Sequence, residues 1–198
     1  MAYKAVIFDL GGTLLNTLDD IGSATNIVLK RHNLAEYPLA EYRYFIGKGI
    51  YRLVYQVLPE ELRTEENLQK IFQEVLEEYA KNLDVHTKPF AGIPELLDEL
   101  SHRHIRMAIL SNKAHELMNE VVNNHFAKWN FEVVFGARKN VPTKPNPQSA
   151  FEILEIMRLK AEDVVYIGDT DVDMQTANNA GFYAVGVSAK GKCHPLTG

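Results

Sequence analysis

The fold of this chain is decided by the stretch Val6-Ile7-Phe8-Asp9-Leu10-Gly11-Gly12-Thr13-Leu14-Leu15-Asn16. A short apolar run, suited to a buried strand, ends in an acid and continues through a glycine pair and a hydroxyl towards a helix start. A carboxylate at the C-terminal end of a parallel strand lies where open α/β sheets bind ligands. The turn glycines let backbone N–H groups approach an anion closely. The alternative is an ordinary strand–turn–helix with a capping acid, and the rest of the chain decides between the two.

Strands and helices alternate over most of the remaining sequence. Four further runs are apolar without alternation, which is typical of buried parallel strands: 105–110, 132–135, 164–167 and 183–187. Apolar residues at helical spacing predict a helix before the first of these runs, over 94–102, and helices between the runs, over 113–126, 147–159 and 171–180. Such alternation implies right-handed crossovers and a parallel sheet covered on both faces.

Residues 17–84 interrupt that alternation, because they contain no convincing strand. They predict helices over 18–32, 39–45, 50–58 and 65–83, with an apolar stripe on the last of them. The predicted class is therefore α/β, a Rossmann-like doubly wound parallel sheet core with a small inserted helical cap domain. We place the α/β core domain at 1–16 and 85–198 and the helical cap domain at 17–84. The pattern over 188–198 predicts neither strand nor helix and leaves the sheet edge after 183–187 bare.

The composition limits the possible partners and compartments. The 198 residues carry a formal net charge of -5, which gives no reason to expect nucleic-acid binding. No apolar run approaches the roughly 20 residues needed to cross a bilayer, and the N-terminus lacks the pattern of a signal peptide. Cys193 is the single cysteine, so a reducing cytoplasm is the simplest setting. We expect a cytoplasmic protein, monomer or homodimer, that binds neither nucleic acid nor membrane.

Two further motifs place a hydroxyl and an ammonium near predicted strand ends. Ser111 follows the strand 105–110 and precedes Asn112. Its hydroxyl is either a plain helix N-cap or, with the next backbone N–H, a donor to a phosphate at a helix N-terminus. Lys144 lies in Pro142-Thr143-Lys144-Pro145-Asn146-Pro147, where the prolines stiffen the backbone. That stiffness suits a charge that must be aimed, although most loop lysines are only solvated.

The last motif, Tyr166-Ile167-Gly168-Asp169-Thr170-Asp171-Val172-Asp173, again places an acid after a buried strand. Asp169 and Asp173 are four residues apart and would share one face if a helix began there. Three acids in five residues crowd negative charge, which is unfavourable without a cation.

Taken in order, the four motifs resemble the signatures of the haloacid dehalogenase-like hydrolases over nearly the whole chain. The helical insertion is similar to their cap, and segments 45–50 and 88–97 are similar to the phosphoglycolate phosphatase-like branch. The resemblance implies a Mg²⁺-dependent hydrolase of a small phosphorylated metabolite, with Asp9 as nucleophile and Lys144 as a catalytic cation. It further implies that Mg²⁺ is held by Asp9, Asp169, Asp173 and the carbonyl of Gly11, and phosphate by Gly12, Thr13, Ser111, Asn112 and Lys144.

Gly11 departs from the family pattern, because the phosphatases carry a second Asp there as the acid and base. Glycine supplies a backbone carbonyl but no proton, and such assistance is typically worth ~10²–10⁴ in rate. Three hypotheses remain open. The first is an impaired phosphatase acting on a phosphoglycolate-like monoester, and the second is a phosphate-binding or interaction protein with weak catalysis. The third is a phosphonatase-like hydrolase that uses Lys48 in the cap as an amine nucleophile.

Overall fold

The computed structural model describes residues 3–46, 49–188 and 194–195. Lys48 and Cys193 therefore lie outside the described residues. The chain divides into two compact units, one of Met1–Leu15 with Pro89–Gly198 and one of Asn16–Lys88. Within the described ranges, no helix combines the length and the apolar character that a membrane span requires.

The first unit is built on one sheet, whose described strands are β1 Ala5–Phe8, β4 Arg106–Ala114, β5 Phe131–Ala137, β6 Val164–Gly168, β7 Tyr183–Gly186 and β8 His194–Pro195. Their order across the sheet is β5-β4-β1-β6-β7-β8. The first five of these strands are parallel and β8 is antiparallel to β7. With β1 in the centre, successive connections proceed first to one side and then to the other, as in a doubly wound Rossmann-like sheet. The predicted fold class is confirmed.

In the described part of the first unit, the helices are α4 Ile93–His102, α5 His115–Phe126, α6 Gln148–Met157 and α7 Asp171–Ala180, and the 3-10 helix is Ala161–Asp163. Helix α4 precedes β4, and helices α5, α6 and α7 connect β4 to β5, β5 to β6 and β6 to β7. The 3-10 helix directly precedes β6. Helix α6 and the strand β6 contribute Ile153 and Tyr166 to one buried cluster that also contains Ile7 of β1. The burial of a large apolar side chain such as Ile7 stabilises the fold by about 1.5–3 kcal/mol.

The register of the central strand β1 fixes which residues of its two neighbours lie level with Asp9. Ile7 and Phe8 are fully buried because parallel neighbours flank β1 on both sides. Phe8 is in register with Ile109 of β4 and with Ile167 of β6. The residues that follow these three positions therefore emerge together at the carboxyl edge of the sheet.

Two local predictions are wrong. Strand β4 continues to Ala114, because β5 is long enough to pair with it there, as Ala114 opposite Ala137. The helix predicted from residue 113 accordingly begins at His115, and Ser111 is a strand residue rather than a helix N-cap. The sheet edge after β7 is also not bare, because β8 pairs with it at Val185 and Gly186 and satisfies backbone groups that an open edge would expose.

The second unit is helical. Its α-helices are α1 Leu18–Arg31, α2 Ile50–Val57 and α3 Glu65–Lys81, with 3-10 helices at Leu39–Tyr44 and Glu60–Leu62. The predicted helix over 39–45 is thus 3-10 rather than α. The stripe on α3 buries Leu68, Ile71, Val75 and Tyr79, and both α1 and α2 pack against α3. Two short strands, β2 Leu15–Asn16 and β3 Lys88–Pro89, pair where the chain passes between the units, and the sequence pattern did not predict them.

Candidate active site

Asp9 follows β1 directly at the carboxyl edge of the sheet. Its backbone N–H donates to the carbonyl of Ile167 over 2.9 Å, so the residue continues the pairing of β1 with β6. This is the place where the strand order reverses direction, which is where open α/β sheets bind ligands. The side chain of Asp9 is almost fully buried.

Lys144 reaches Asp9 from the loop between β5 and α6. Its Nζ donates to Asp9 Oδ1 over 2.7 Å, to Asp173 Oδ1 over 2.5 Å and to the hydroxyl of Tyr166 over 3.0 Å. An ammonium has three N–H donors, so these contacts use all of them. The side chain is only 3% exposed. The lysine that the sequence places in a stiff loop is therefore a buried cation that joins two of the predicted acids.

Tyr166 and Thr170 complete this network, and sequence reasoning assigned neither of them a role. The hydroxyl of Tyr166 lies 3.2 Å from both Asp173 Oδ1 and the Leu110 carbonyl oxygen, and can donate its hydrogen to either. Asp173 Oδ2 accepts from the N–H and the hydroxyl of Thr170 over 3.0 and 2.7 Å. The sequence carried a signal for each of them: Tyr166 places a hydroxyl within an apolar strand, and Thr170 with Asp173 has the Thr-x-x-Asp spacing of a capping box.

Asp169 lies beside Asp9 but outside helix α7, which begins at Asp171. The expectation that Asp169 and Asp173 share a helix face is therefore wrong, because Thr170 between them is the N-cap in extended conformation. Asp169 Oδ1 accepts a hydrogen bond from the Thr13 hydroxyl over 3.1 Å. The Thr13 side chain, predicted to hold phosphate, thus holds an acid in place.

The three acids offer oxygen atoms that all lie within 4.8 Å of one another, namely those of Asp9, Asp169 and Asp173. With Lys144 they sum to a formal charge of −2, from three carboxylates and one ammonium. Clustered carboxylate oxygens are the ligands that hard divalent cations prefer. The donor set and its charge therefore fit Mg²⁺.

The electrostatics of the acids reflect this crowding. Burial raises the pKa of Asp9 to about 6 despite the opposing effect of Lys144. The protein atoms packed around its carboxyl group, together with Asp9 and Asp173, raise the pKa of Asp169 to about 7, although the residue as a whole is exposed to solvent. Burial opposes ionisation of Asp173 as well, but Lys144 and Thr170 hold its pKa below the ordinary value.

Burial by itself lowers the pKa of Lys144, but the acids Asp9 and Asp173 and the phenol of Tyr166 raise it well above its ordinary value. Lys144 is thus charged at any physiological pH, while Asp9 and Asp169 ionise against an unfavourable environment. A cation bound between the two acids would remove that penalty.

Three more of the predicted residues, Ser111, Asn112 and Gly11, each have a different local setting. Ser111 is buried near the end of β4, and its hydroxyl accepts from the N–H of Lys113 over 3.3 Å. Asn112 follows it, and its side chain contacts the backbone of Lys144. Gly11 is partly exposed in the turn after Asp9, where it forms a bridge with Leu15.

Gly12 cannot carry a side chain without disturbing Asp169. Its φ is +93°, and an added Cβ would lie 2.3 Å from Asp169 Oδ2. Gly92 has a similar φ of +85°, but an added Cβ would meet nothing within 4 Å. The two glycines therefore share the backbone requirement and differ only in the neighbour.

Substituting alanine at each glycine separates these two effects. We expect Gly92→Ala to lower the free energy of unfolding by about 1–2 kcal/mol, from backbone strain alone. Gly12→Ala should cost a further 1–3 kcal/mol or so, because the Asp169 carboxylate must move. Urea unfolding of both variants measures the difference. Equal losses would contradict the contact between Gly12 and Asp169.

Comparison with known proteins agrees with this geometry. Residues 6–187 match the haloacid dehalogenase-like hydrolases. The chain belongs to this family. It is 31% identical over 178 residues to a phosphoglycolate phosphatase from Aquifex aeolicus, covering 90% of this chain and 81% of that protein. It is 32% identical over 181 residues to a phosphoglycolate phosphatase from Nitrosospira multiformis, covering 90% and 80%.

The solved structures show the same fold. A haloacid dehalogenase-like family hydrolase from Streptococcus pneumoniae superimposes with a TM-score of 0.81 at 22% identity, over 92% of this chain and 83% of that one. The family match and the two curated relatives confirm the resemblance predicted from the four motifs: this is a haloacid dehalogenase-like protein similar to phosphoglycolate phosphatases.

Proposed function

We propose that this chain is a Mg²⁺-dependent phosphatase that hydrolyses a small, phosphoglycolate-like monoester through a phosphorylated Asp9 and turns over slowly because residue 11 is glycine. The observation that carries the proposal is the buried contact of Lys144 with Asp9 and Asp173, beside Asp169, at the carboxyl edge of the sheet. The phosphoglycolate phosphatases to which the chain is similar support the substrate class.

The acids Asp9 and Asp169 would hold the metal, with the carbonyl of Gly11 as a third ligand. Both oxygens of Asp173 already accept hydrogen bonds from Lys144, Tyr166 or Thr170. Asp173 therefore supports the site by holding Lys144, and would reach the metal through water. Bound Mg²⁺ would neutralise charge on the phosphoryl group and orient it for in-line attack.

Asp9 supplies the nucleophile. Its carboxylate oxygen forms a bond to phosphorus while the bond from phosphorus to the alcohol oxygen of the substrate breaks, and the electron pair leaves with that oxygen. Phosphoryl transfer depends mainly on positioning and on charge stabilisation, so a weakly basic carboxylate suffices. Water then attacks phosphorus, releases inorganic phosphate and restores Asp9.

Lys144 and Ser111 would stabilise the phosphoryl oxygens as charge redistributes. Lys144 uses its three N–H donors on Asp9, Asp173 and Tyr166, so contact with a phosphoryl oxygen requires one of these bonds to be exchanged. The bond to Asp9 is the one that we expect to be exchanged, because the Asp9 carboxylate loses its own negative charge when it becomes phosphorylated. The lysine would thereby follow the charge from the nucleophile to the phosphoryl group.

Gly11 limits both halves of the cycle in this proposal. The departing alkoxide must take its proton from water, and the attacking water has no side chain at position 11 to accept its proton. Loss of general acid–base assistance of ~10²–10⁴ in rate corresponds to a barrier higher by about 3–5 kcal/mol. Substrate and metal binding do not depend on that proton.

The test is the Mg²⁺-dependent release of phosphate from 2-phosphoglycolate, compared with a panel of other small monoesters. We expect slow turnover with Mg²⁺ and none when a chelator removes it. Faster hydrolysis of a different monoester would overturn the substrate class but leave the reaction type intact.

A second candidate, a phosphate-binding protein without turnover, is favoured by Gly11 itself. In that case the protein would bind Mg²⁺ and phosphate, yet neither the natural chain nor a variant with Asp at position 11 would hydrolyse a monoester. The phosphonatase-like hypothesis depends on Lys48, which lies outside the described residues, and nothing in the described part of the chain favours it.

Metal binding by the acids predicts a pH-dependent stabilisation. Because the pKa of Asp169 is raised from 3.8 to about 7, its ionisation destabilises the metal-free fold progressively as the pH rises through that window. Mg²⁺ should therefore raise the melting temperature far more at pH 7.5 than at pH 5. At a concentration of 100 times its dissociation constant, the stabilisation would be about 2.7 kcal/mol.

The variant Asp169→Asn sharpens this measurement. Without metal at pH 7.5 it should melt above the natural protein, because a partly buried carboxylate that Asp9 and Asp173 repel is replaced by a neutral amide. With Mg²⁺ it should gain little. Sodium chloride at matched ionic strength is the control for simple screening, and a similar gain from sodium chloride would contradict a specific metal site.

A further inference from the structure

The backbone of Lys144 is held by a contact that its role in the network does not require. The backbone N–H of Lys144 donates to Asn112 Oδ1 over 2.9 Å, and its carbonyl accepts from Asn112 Nδ2 over 3.1 Å. One planar side-chain amide thus occupies both polar groups of a single residue, as a neighbouring strand would. Of the residue types of this size, only asparagine offers both a donor and an acceptor in this arrangement.

The loop that carries Lys144 is held by side chains and short turns rather than by regular secondary structure. It connects β5, which ends at Ala137, with α6, which begins at Gln148, and contains neither helix nor strand. The lysine side chain has several rotatable bonds, so a fixed backbone limits the conformations in which its ammonium can reach Asp9. Asn112 belongs to β4, next to the central strand, and ties this loop to the most buried part of the sheet.

We propose that Asn112 is a positioning residue. Its side chain holds the backbone of Lys144 in the place from which the lysine ammonium contacts Asp9. This inference rests on the proposed function for its kinetic consequence. It is separate from the part that the resemblance implied for Asn112, in which the backbone N–H donates to phosphate. Here the amide side chain acts on the lysine and not on the substrate.

The experiment is a double-mutant cycle between Asn112 and Lys144. It is carried out in either the natural protein or its Gly11→Asp variant, whichever turns over faster. Asn112→Ala should lower kcat about tenfold and leave KM within about twofold, because a displaced ammonium weakens the transition state more than substrate binding. Lys144→Met should lower kcat further. The double variant should be no slower than Lys144→Met, since Asn112 has nothing left to position.

Asn112→Asp provides a second variant of nearly the same shape. It keeps an acceptor for the Lys144 N–H but turns a carboxylate oxygen towards the Lys144 carbonyl, so it should be at least as slow as Asn112→Ala. Asn179→Ala is the matched control, because Asn179 donates a single exposed hydrogen bond over 2.9 Å to the next carbonyl of the same loop, that of Pro145. It should change kcat by less than about twofold.

A chemical measurement tests the positioning without any activity. Brief acetylation followed by mass spectrometry reports how often Lys144 becomes accessible, with the exposed Lys160 as an internal reference. Asn112→Ala should raise the acetylation of Lys144 relative to Lys160 at least threefold or so, whereas Asn179→Ala should not.

The outcomes separate the two proposals. Unchanged acetylation of Lys144 in Asn112→Ala overturns the positioning role, and so do losses in kcat that multiply in the double variant, or an equal loss in Asn179→Ala. If Lys144→Met leaves kcat unchanged, or if no form of the protein has activity, the proposed function fails while increased acetylation still supports the anchoring of Lys144 by Asn112.

Discussion

The variant Gly11→Asp is expected to hydrolyse 2-phosphoglycolate at least tenfold faster than the natural protein, and up to ~10⁴-fold faster. The new carboxyl group would protonate the departing alcohol and later accept a proton from the attacking water. Among the described glycines, positive φ occurs at Gly12, Gly49, Gly92 and Gly181, so position 11 does not demand a glycine backbone. Steady-state release of phosphate with saturating Mg²⁺ measures the gain, which should lie in kcat rather than in KM.

The control for this gain is Gly11→Asn. Asparagine has nearly the shape of aspartate and the same carbonyl in the backbone, but it cannot donate and accept a proton at neutral pH. Its rate should stay within a few-fold of that of the natural protein. A comparable gain in Gly11→Asn would show that position 11 acts through packing, and no gain in Gly11→Asp would mean that the missing acid has been assigned to the wrong position.

The choice of substrate adds a second readout. The leaving group of p-nitrophenyl phosphate, p-nitrophenolate, departs readily without a proton, so its departure depends little on residue 11. The natural protein should therefore release a burst of p-nitrophenol close to one equivalent and then turn over slowly, because hydrolysis of phosphorylated Asp9 still lacks a base. In Gly11→Asp the burst should merge into fast turnover.

Asp9→Asn is expected to abolish hydrolysis, with a loss of about 10³-fold or more in either the natural protein or the Gly11→Asp background. An amide oxygen is a much poorer nucleophile than a carboxylate. The substitution also removes a buried charge whose ionisation burial opposes, so the fold itself should survive. Kinetics with 2-phosphoglycolate, the p-nitrophenol burst and the melting temperature together measure these effects.

Asp98→Asn is the matched control for removing a carboxylate. Asp98 is an exposed residue of helix α4 that pairs with Lys128 at the surface, and its loss should leave hydrolysis unchanged. Substantial activity in Asp9→Asn, with the burst intact, would refute the role of Asp9 as nucleophile. Absence of activity in every form, with Mg²⁺ binding retained, would instead favour the phosphate-binding protein.

The order of apolar runs along the chain was enough to predict the parallel sheet and its inserted helices. A parallel strand buried on both faces needs an uninterrupted apolar run, and residues 6–8 and 164–167 satisfy that need in any context. The ends of the strands and the edge strand of the sheet were harder to predict, because the length of a strand depends on the strand that pairs with it. Ala114 belongs to β4 only since Ala137 lies opposite it, and β8 exists only since β7 offers a free edge.

The same distinction holds for the candidate site. Asp9, Ser111 and Asp169 could be named from sequence because each comes at the end of an apolar run, and parallel strands bring such positions to one edge of the sheet, although Ser111 still lies within β4. Tyr166 could not, since a tyrosine in a strand has no fixed partner until the sheet forms. Nor could the local sequence show that the Thr13 hydroxyl serves Asp169, 156 residues away.

By itself the sequence determined the α/β class, the inserted helices and the family, because these depend on residue type and order alone; it also supplied the hypothesis that Gly11 leaves the site without a proton donor. Only the tertiary structure decided how the charges pair. Lys144 lies 135 residues from Asp9 along the chain, yet its ammonium joins Asp9 to Asp173 while Asn112 holds its backbone. Such contacts depend on distances of about 3 Å between separate strands and loops, which only the folded chain brings together.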